Sequence, residues 1–372
     1  MKENHPPKVV FLGKLPPPYI GPSVACQLIL KSKLKDNFQL LHLDTSDHRD
    51  INTLAKMDFT NFYLAFKQYY MLFKMLVKDK PDMVYIPAGQ TTISYFRDAG
   101  FILLAKLFGK KVICHLRGGN FVNWYNSTSA LTKMGVRSIQ KNVDGQIVLG
   151  DNLRPLFNWM MPENRIHVVP NGSNYPTIPK NGKVSDKVRI LFLGNFIGTK
   201  GVLMLLKSSP AVFAKHKNVE FLFAGNWRDE PTKIEFEKFL NENPGLPVTI
   251  IGPVQGQEKF DLLSSADIFV FPTFYPNEGH PWVIVEAMSA GLPVISTDHA
   301  AISESVLDGK NGFLVEKRNP QQIADKINYL IEHPEERKRM GEESRKHYLA
   351  NFTEEKMVER MTKAFNATLH IN

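Results

Sequence analysis

What most constrains this chain is a rhythm of short apolar runs separated by helix-length stretches. "KVVFLG" (8–13), "FQLLHLD" (38–44), "MVYIP" (83–87), "KVICHL" (111–116) and "GQIVLG" (145–150) form one series. The rhythm restarts with "VRILFLGN" (188–195), "VEFLFAG" (219–225), "VTIIG" (248–252), "IFVFPT" (268–273), "PVISTD" (293–298) and "GFLV" (312–315). Strands alternating with helices build parallel sheets covered on both faces, so the class is α/β. At 372 residues the chain is too long for one ordinary core. The expectation is two doubly wound, Rossmann-like domains whose strand ends bind ligands and face each other across a cleft.

The stretch "PNGSNYPTIPKNGKVSD" (170–186), rich in Pro, Gly, Asn and Ser, reads as the linker between them. It separates an N-terminal domain of residues 1–175 from a C-terminal domain of residues 176–352. Segments 320–332, 334–349 and 353–369 read as helices, with Thr353 as N-cap of the last. Residues 353–372 form a C-terminal helix able to pack back on the first domain.

Charge divides along the same line. The chain carries a net +9, yet residues 1–175 hold 22 Lys/Arg against 12 Asp/Glu, and residues 176–372 hold 24 against 25. The excess belongs to the first half, where an anionic acceptor, an anionic membrane surface or nucleic acid would each account for it. No RNP motif, zinc finger, basic zipper or aromatic-interleaved basic strand is present, so nucleic acid is not an expected partner. The apolar run "FILLAKLFG" (101–109) is interrupted by Lys106 and falls far short of the roughly 20 residues that span a bilayer. "MKENHPPKVVFLG" enters a strand-like run without the longer apolar segment of a secretory signal, and Cys26 and Cys114 have no metal-like spacing. A reduced, cytoplasmic compartment is the expectation.

The chemistry concentrates in a few stretches. In "VFPTFYPNEGHPWVIVEAMSAG" (270–291) a strand runs into a loop carrying Glu278, Pro281 opens a helix, and Glu286 is that helix's only charge among apolar residues on every face. Such a carboxylate demands a partner, either a basic side chain of the core or a polar ligand. The free N–H groups of Trp282 and Val283 at the helix start suit phosphate. "LFLGNFIGTKG" (191–201) is a strand, a glycine-rich turn and a helix, with Lys200 placing a point charge at the same sheet end. It is neither the nucleotide-hydrolase loop nor the dinucleotide turn. In the first half, "LGKLPPPYIGPSVACQLIL" (12–30) opens a helix near Gly21 and Ser23, and "CHLRGGNFVNWY" (114–125) places His115 and Arg117 at a strand's end. Arg117 suits phosphate or carboxylate; His115 suits a sugar hydroxyl, acid–base work or a satisfied place in the core.

Together these stretches resemble glycosyltransferase family 4, also called group 1, the retaining enzymes of glycosyltransferase fold B. "NEGHPWVIVEAMSAGLPVIST" resembles the family's E-x7-E segment with its EAM and PVI elements, "LFLGNFIGTKG" its G-R-L-x-x-x-K-G turn, "VVPNG" (168–172) its interdomain motif and "VLDGKNGFLV" (306–315) the stretch closing the sheet. The resemblance implies a nucleotide-diphosphate sugar donor held by the second domain and a glycan or lipid-linked acceptor held by the first, with no cofactor and no metal. It implies that Glu286 binds the donor's ribose, that Glu278 holds the transferred sugar helped by the backbone at Gly279 and His280, and that Lys200 with the amides of Trp282 and Val283 neutralises the diphosphate. Gly21 matches the second glycine of the family's N-terminal loop, with Ile20 in place of the first. Asn195 stands where the family has arginine, and Arg117 stands where it has histidine, two residues beyond His115. Arg117 is accordingly expected to supply the cation that Asn195 lacks. The basic, aromatic helix at 62–80, with Lys67, Lys74 and Lys78 on one stripe, reads either as a core helix with a solvated face or as a peripheral contact with an anionic membrane. A nucleotide-sugar epimerase and a non-catalytic sugar-nucleotide binder are the rival readings.

Overall fold

Runs of Val, Ile, Leu and Phe with no polar alternation make strands buried on both faces, and such strands belong inside a parallel sheet. The computed structural model, which describes residues 5–17, 21–46, 59–176 and 187–371, contains two of these sheets. Ile20, the first four residues and 177–186 of the Pro/Gly/Asn-rich stretch lie outside the described residues. By its internal contacts the chain divides into a first unit, residues 1–173 with 354–372, and a second, residues 174–353.

The first sheet comprises β1 (Lys8–Gly13), β2 (Gln39–Asp44), β3 (Met83–Ala88), β4 (Lys111–Leu116), β5 (Gly145–Val148) and β6 (Ile166–Val168), in the order β2-β1-β3-β4-β5-β6, all parallel. Its helices are α1 (Gly21–Lys31), α2 (Phe59–Lys78), α3 (Thr92–Leu107), α4 (Phe121–Ser127) and α5 (Ala130–Gln140). β6 escapes the rhythm of the sequence because three residues are too few to show a period.

The second sheet comprises β7 (Val188–Leu193), β8 (Val219–Ala224), β9 (Val248–Ile251), β10 (Ile268–Phe271), β11 (Val294–Thr297) and β12 (Gly312–Val315), in the order β12-β11-β10-β7-β8-β9. Numbered within the unit this is 3-2-1-4-5-6, the doubly wound order whose direction reverses between β7 and β10. Around it lie α6 (Val202–Lys215), α7 (Glu230–Glu242), α8 (Gly256–Ser265), α9 (Trp282–Ser289), α10 (Ile302–Ser305), α11 (Pro320–Glu332) and α12 (Pro334–Asn351).

The last helix, α13 (Glu354–Leu369), returns to the first unit. Met357, Met361, Ala364 and Phe365 join the same buried cluster as Val9, Phe11, Tyr85 and Ile113. Phe365 lies edge-on to Phe38 at 5.2 Å, and Gly145 on β5 leaves the space that Thr368 fills. Burial of each large apolar side chain contributes about 1.5–3 kcal/mol, so the first core is completed only by the end of the chain.

Candidate functional site

Ligands of doubly wound sheets bind where strand order reverses, beyond the carboxyl ends of the two diverging strands. In the second unit those strands are β7 and β10, and the two charged stretches singled out in the sequence are the loops that leave them. The loops are stitched together. The N–H of Phe274 donates to the carbonyl of Thr199 at 2.8 Å. Gly201 caps α6 at φ +85, and a Cβ there would lie 2.4 Å from the carbonyl oxygen of Pro272. Only glycine permits so close an approach of the two loops at that backbone angle.

This stitching brings Lys200 to Glu278, with Nζ 3.4 Å from Oε2. Lys200 also stands over the rings of Phe271 and Tyr275, at 5.7 and 5.5 Å from their centroids. Glu278 Oε2 is buried and takes no hydrogen bond, so the ammonium meets it as an ion pair alone. The turn carrying Glu278 is closed by its N–H donating to Tyr275 O at 2.9 Å. Both side chains keep part of their surface in solvent, and a pair of that kind contributes about 0–1 kcal/mol. A stronger anion can displace it.

α9 begins next to this pair. Pro281 is its N-cap rather than its first helical residue, a shift of one position from the sequence reading, and no side chain caps the end. The amides of Trp282 and Val283 are among those a helix start leaves without an intrahelical acceptor. Gly279 is buried, its carbonyl accepting from the Ala301 N–H at 2.9 Å. His280 turns its ring inward, Nε2 lying 2.6 Å from Ser305 Oγ and the ring 5.2 Å from that of Phe352. Its side chain packs inward, and its backbone adjoins the helix start.

Glu286 is 6% exposed, and its charge is met by Lys259 of α8, whose Nζ donates to Oε1 at 2.6 Å. Burial raises the carboxyl's pKa and the ammonium opposes the rise. Of the two partners the sequence allowed, a basic side chain or a ligand, the basic side chain is in place. Oε2 accepts no hydrogen bond among the described residues. Lys259 carries no local signal in "GQEKFD"; only the tertiary fold brings this lysine of α8 to Glu286 of α9.

Asn195, just past β7, accepts at Oδ1 from Arg228 Nε at 3.4 Å. Arg228 follows β8, and nothing in "AGNWRDE" marks it in the sequence.

The first unit holds the remaining candidates. His115 on β4 is 2% exposed, with Nδ1 2.8 Å from Tyr85 Oη. Arg117 donates to Tyr85 Oη at 3.2 Å and to Asn171 Oδ1 at 3.3 Å, and lies 3.5 Å from His115 Nδ1. Nδ1 thus lies within reach of both the Tyr85 hydroxyl and the Arg117 guanidinium, while Nε2 is buried without a partner. Burial, reinforced by the Arg117 charge, lowers the histidine's pKa well below its ordinary value. His115 is thus a neutral imidazole inside the core. Gly21 opens α1 and is exposed. Cys26 and Cys114 are free and buried, and no group of three or more His, Cys, Asp or Glu able to hold a metal occurs among the described residues.

Residues 176–347, a little under half of the chain, match the family described as glycosyl transferases group 1. The capsular polysaccharide biosynthesis glycosyltransferase CapM of Staphylococcus aureus is 30% identical over 187 residues, 50% of this chain and 48% of that protein. The chain spans about half the length of the curated relatives it matches at that level. Among solved structures, sucrose-phosphate synthase from Thermosynechococcus elongatus superposes with a TM-score of 0.76 over 97% of this chain and 98% of its own, at 16% identity. Anabaena HepE, crystallised with UDP, superposes at 0.74 over 96% and 99%, also at 16% identity. These likenesses define the fold, which is glycosyltransferase fold B.

Proposed function

We propose that the protein is a retaining, metal-independent glycosyltransferase that moves a sugar from a nucleotide-diphosphate donor to a glycan or lipid-linked acceptor in the synthesis of a surface polysaccharide or glycoconjugate. The observation that carries this reading is the meeting of Lys200 and Glu278 at the β7/β10 reversal, beside the uncapped start of α9. Lys200 and the amides of Trp282 and Val283 take the diphosphate; Glu278, released from Lys200, takes hydroxyls of the sugar. Glu286 takes the ribose through Oε2 while Lys259 holds Oε1, which opposes the effect of burial and fixes the carboxyl's orientation. Retention needs no protein nucleophile, because the departing phosphate oxygen accepts the acceptor's proton as the sugar–phosphate bond breaks. The residues then stabilise the leaving group and position the two substrates. UDP in the HepE crystal and capsule synthesis in the name of CapM support the reading.

The test is thermal shift against UDP, GDP and ADP, followed by incubation of the matching sugar donors with and without glycan or lipid acceptors. Free nucleotide released only when acceptor is present, with the anomeric configuration retained, is the expected result. A converted donor with its nucleotide still attached means an epimerase, and binding without release means a non-catalytic binder.

We further place the protein on the cytoplasmic face of an anionic membrane, docked through the first unit. Among the described residues no helix is long and apolar enough to cross a membrane. On α2, however, Tyr63, Phe66, Tyr70, Phe73 and Val77 are spaced by three and four and are exposed by 65, 72, 52, 44 and 50%. Lys67, Lys74 and Lys78 are exposed beside them, and α2 has no acidic residue. A second copy of the helix would bring lysine against lysine, whereas an anionic leaflet takes both the ring edges and the charges. Replacing Phe66 and Phe73 by Ser is expected to abolish pelleting with phosphatidylglycerol vesicles at low salt; unchanged pelleting removes the assignment.

A further inference from the structure

Asn195 poses a problem for the proposed reaction. The loop after β7 ends in Lys200, yet its first position carries a neutral amide where the family resemblance expects a guanidinium, so the departing diphosphate lacks one cation. Arg117, the other candidate for this cation, lies in the first unit, where it donates to Asn171 and Tyr85.

We propose that Arg228 supplies this cation, with Asn195 as its positioning partner: the guanidinium has moved from the end of β7 to the end of β8. The assignment rests on the donor reading given above.

The geometry supports it on three counts. The loops after β7 and β8 are zipped together: the Phe196 N–H donates to Asn226 O at 2.7 Å, the Arg228 N–H to Phe196 O at 3.2 Å and the Gly198 N–H to Asp229 Oδ2 at 3.3 Å. Gly225 lies so close that a Cβ there would sit 1.8 Å from Gly194 O, and the rings of Phe196 and Trp227 meet at 4.8 Å. Arg228 therefore has as fixed a backbone as Asn195. Next, the Asn195 amide oxygen receives Arg228 Nε, which leaves both terminal nitrogens of the fork, the ones suited to two oxygens of one phosphate, without a hydrogen bond among the described residues. Finally, Arg228 is exposed and has no carboxylate within ion-pair distance among the described residues. A guanidinium held from behind and unpaired in front is arranged for an anion. An arginine at 195 would repel this one; an asparagine orients it.

The experiment compares wild type with Arg228→Ala, Arg228→Gln, Arg228→Lys and the double variant Asn195→Arg/Arg228→Ala. Calorimetric affinities are measured for the best-binding of UDP, GDP and ADP and for its nucleoside. Arg228→Ala and Arg228→Gln are expected to weaken the diphosphate about 10- to 100-fold and leave the nucleoside unchanged. Arg228→Lys should lose less, and the double variant should return to within a fewfold of wild type. Wild-type behaviour of Arg228→Gln, which keeps a donor for Asn195 without the charge, would overturn the proposal. So would an equal loss for diphosphate and nucleoside, or a double variant as weak as Arg228→Ala. If wild type binds none of the three diphosphates, the donor reading itself fails and the assignment falls with it.

Discussion

The two units solve one structural problem differently. Each is a six-stranded parallel sheet, but the second reverses strand order between β7 and β10, whereas the first reverses between β1 and β3. At the second reversal stand partly exposed opposite charges, Lys200 with Glu278. Near the first reversal, β3 contributes Tyr85 and β4 His115 to a buried cluster in which the histidine is neutral and only Arg117 is charged. Opposite charges that keep part of their surface in solvent can be separated at little cost. A basic group enclosed in the core without a counter-charge gives up its charge.

The contrast can be broken at three places. The largest effect is expected from Lys200→Ala, which should lower transfer by about 100-fold or more while lowering the melting temperature by only a few degrees, because a partly exposed pair adds about 1 kcal/mol. Steady-state kinetics with calorimetry checks both halves; a large fall in melting temperature would make Lys200 a structural residue.

Lys259→Met should act the other way round. It leaves Glu286 buried and unpaired, at an expected loss of about 3 kcal/mol in denaturant unfolding, and adding Glu286→Gln should recover most of it. A double variant no more stable than Lys259→Met would show that the pair is not the source.

The smallest effect lies in the first unit. His115 has a folded pKa well below its ordinary value, so the unfolded chain binds the extra proton first as pH falls through the range near 6.5. Stability should be full above that range and decline below it by at most about 1.4 kcal/mol per pH unit, until the folded histidine also protonates. His115→Gln should flatten this slope between pH 7 and 5. An unchanged slope would mean that the imidazole is not held neutral.

Legibility followed the range of the interactions. Eleven of the strands announce themselves as apolar runs because burial on both faces writes itself into consecutive residues, while β6 is too short to do so. Lys200, Glu278 and the start of α9 were readable because glycine, proline and a charge stand together at a strand end. Lys259, Arg228, Tyr85 and Asn171 were not, since each meets its partner from a separate element and no local pattern records the meeting.

By itself, then, the sequence determined the α/β class, the two series of strands and the segments that carry chemistry, all properties of neighbours along the chain. Tertiary structure alone decided which charge faces which. It gave Glu286 a lysine from α8, set Arg228 against Asn195, enclosed His115 beneath Tyr85 and closed the first core with α13. The physical reason is that pairing energies and desolvation depend on distances of a few ångströms, and those are fixed only when distant elements pack.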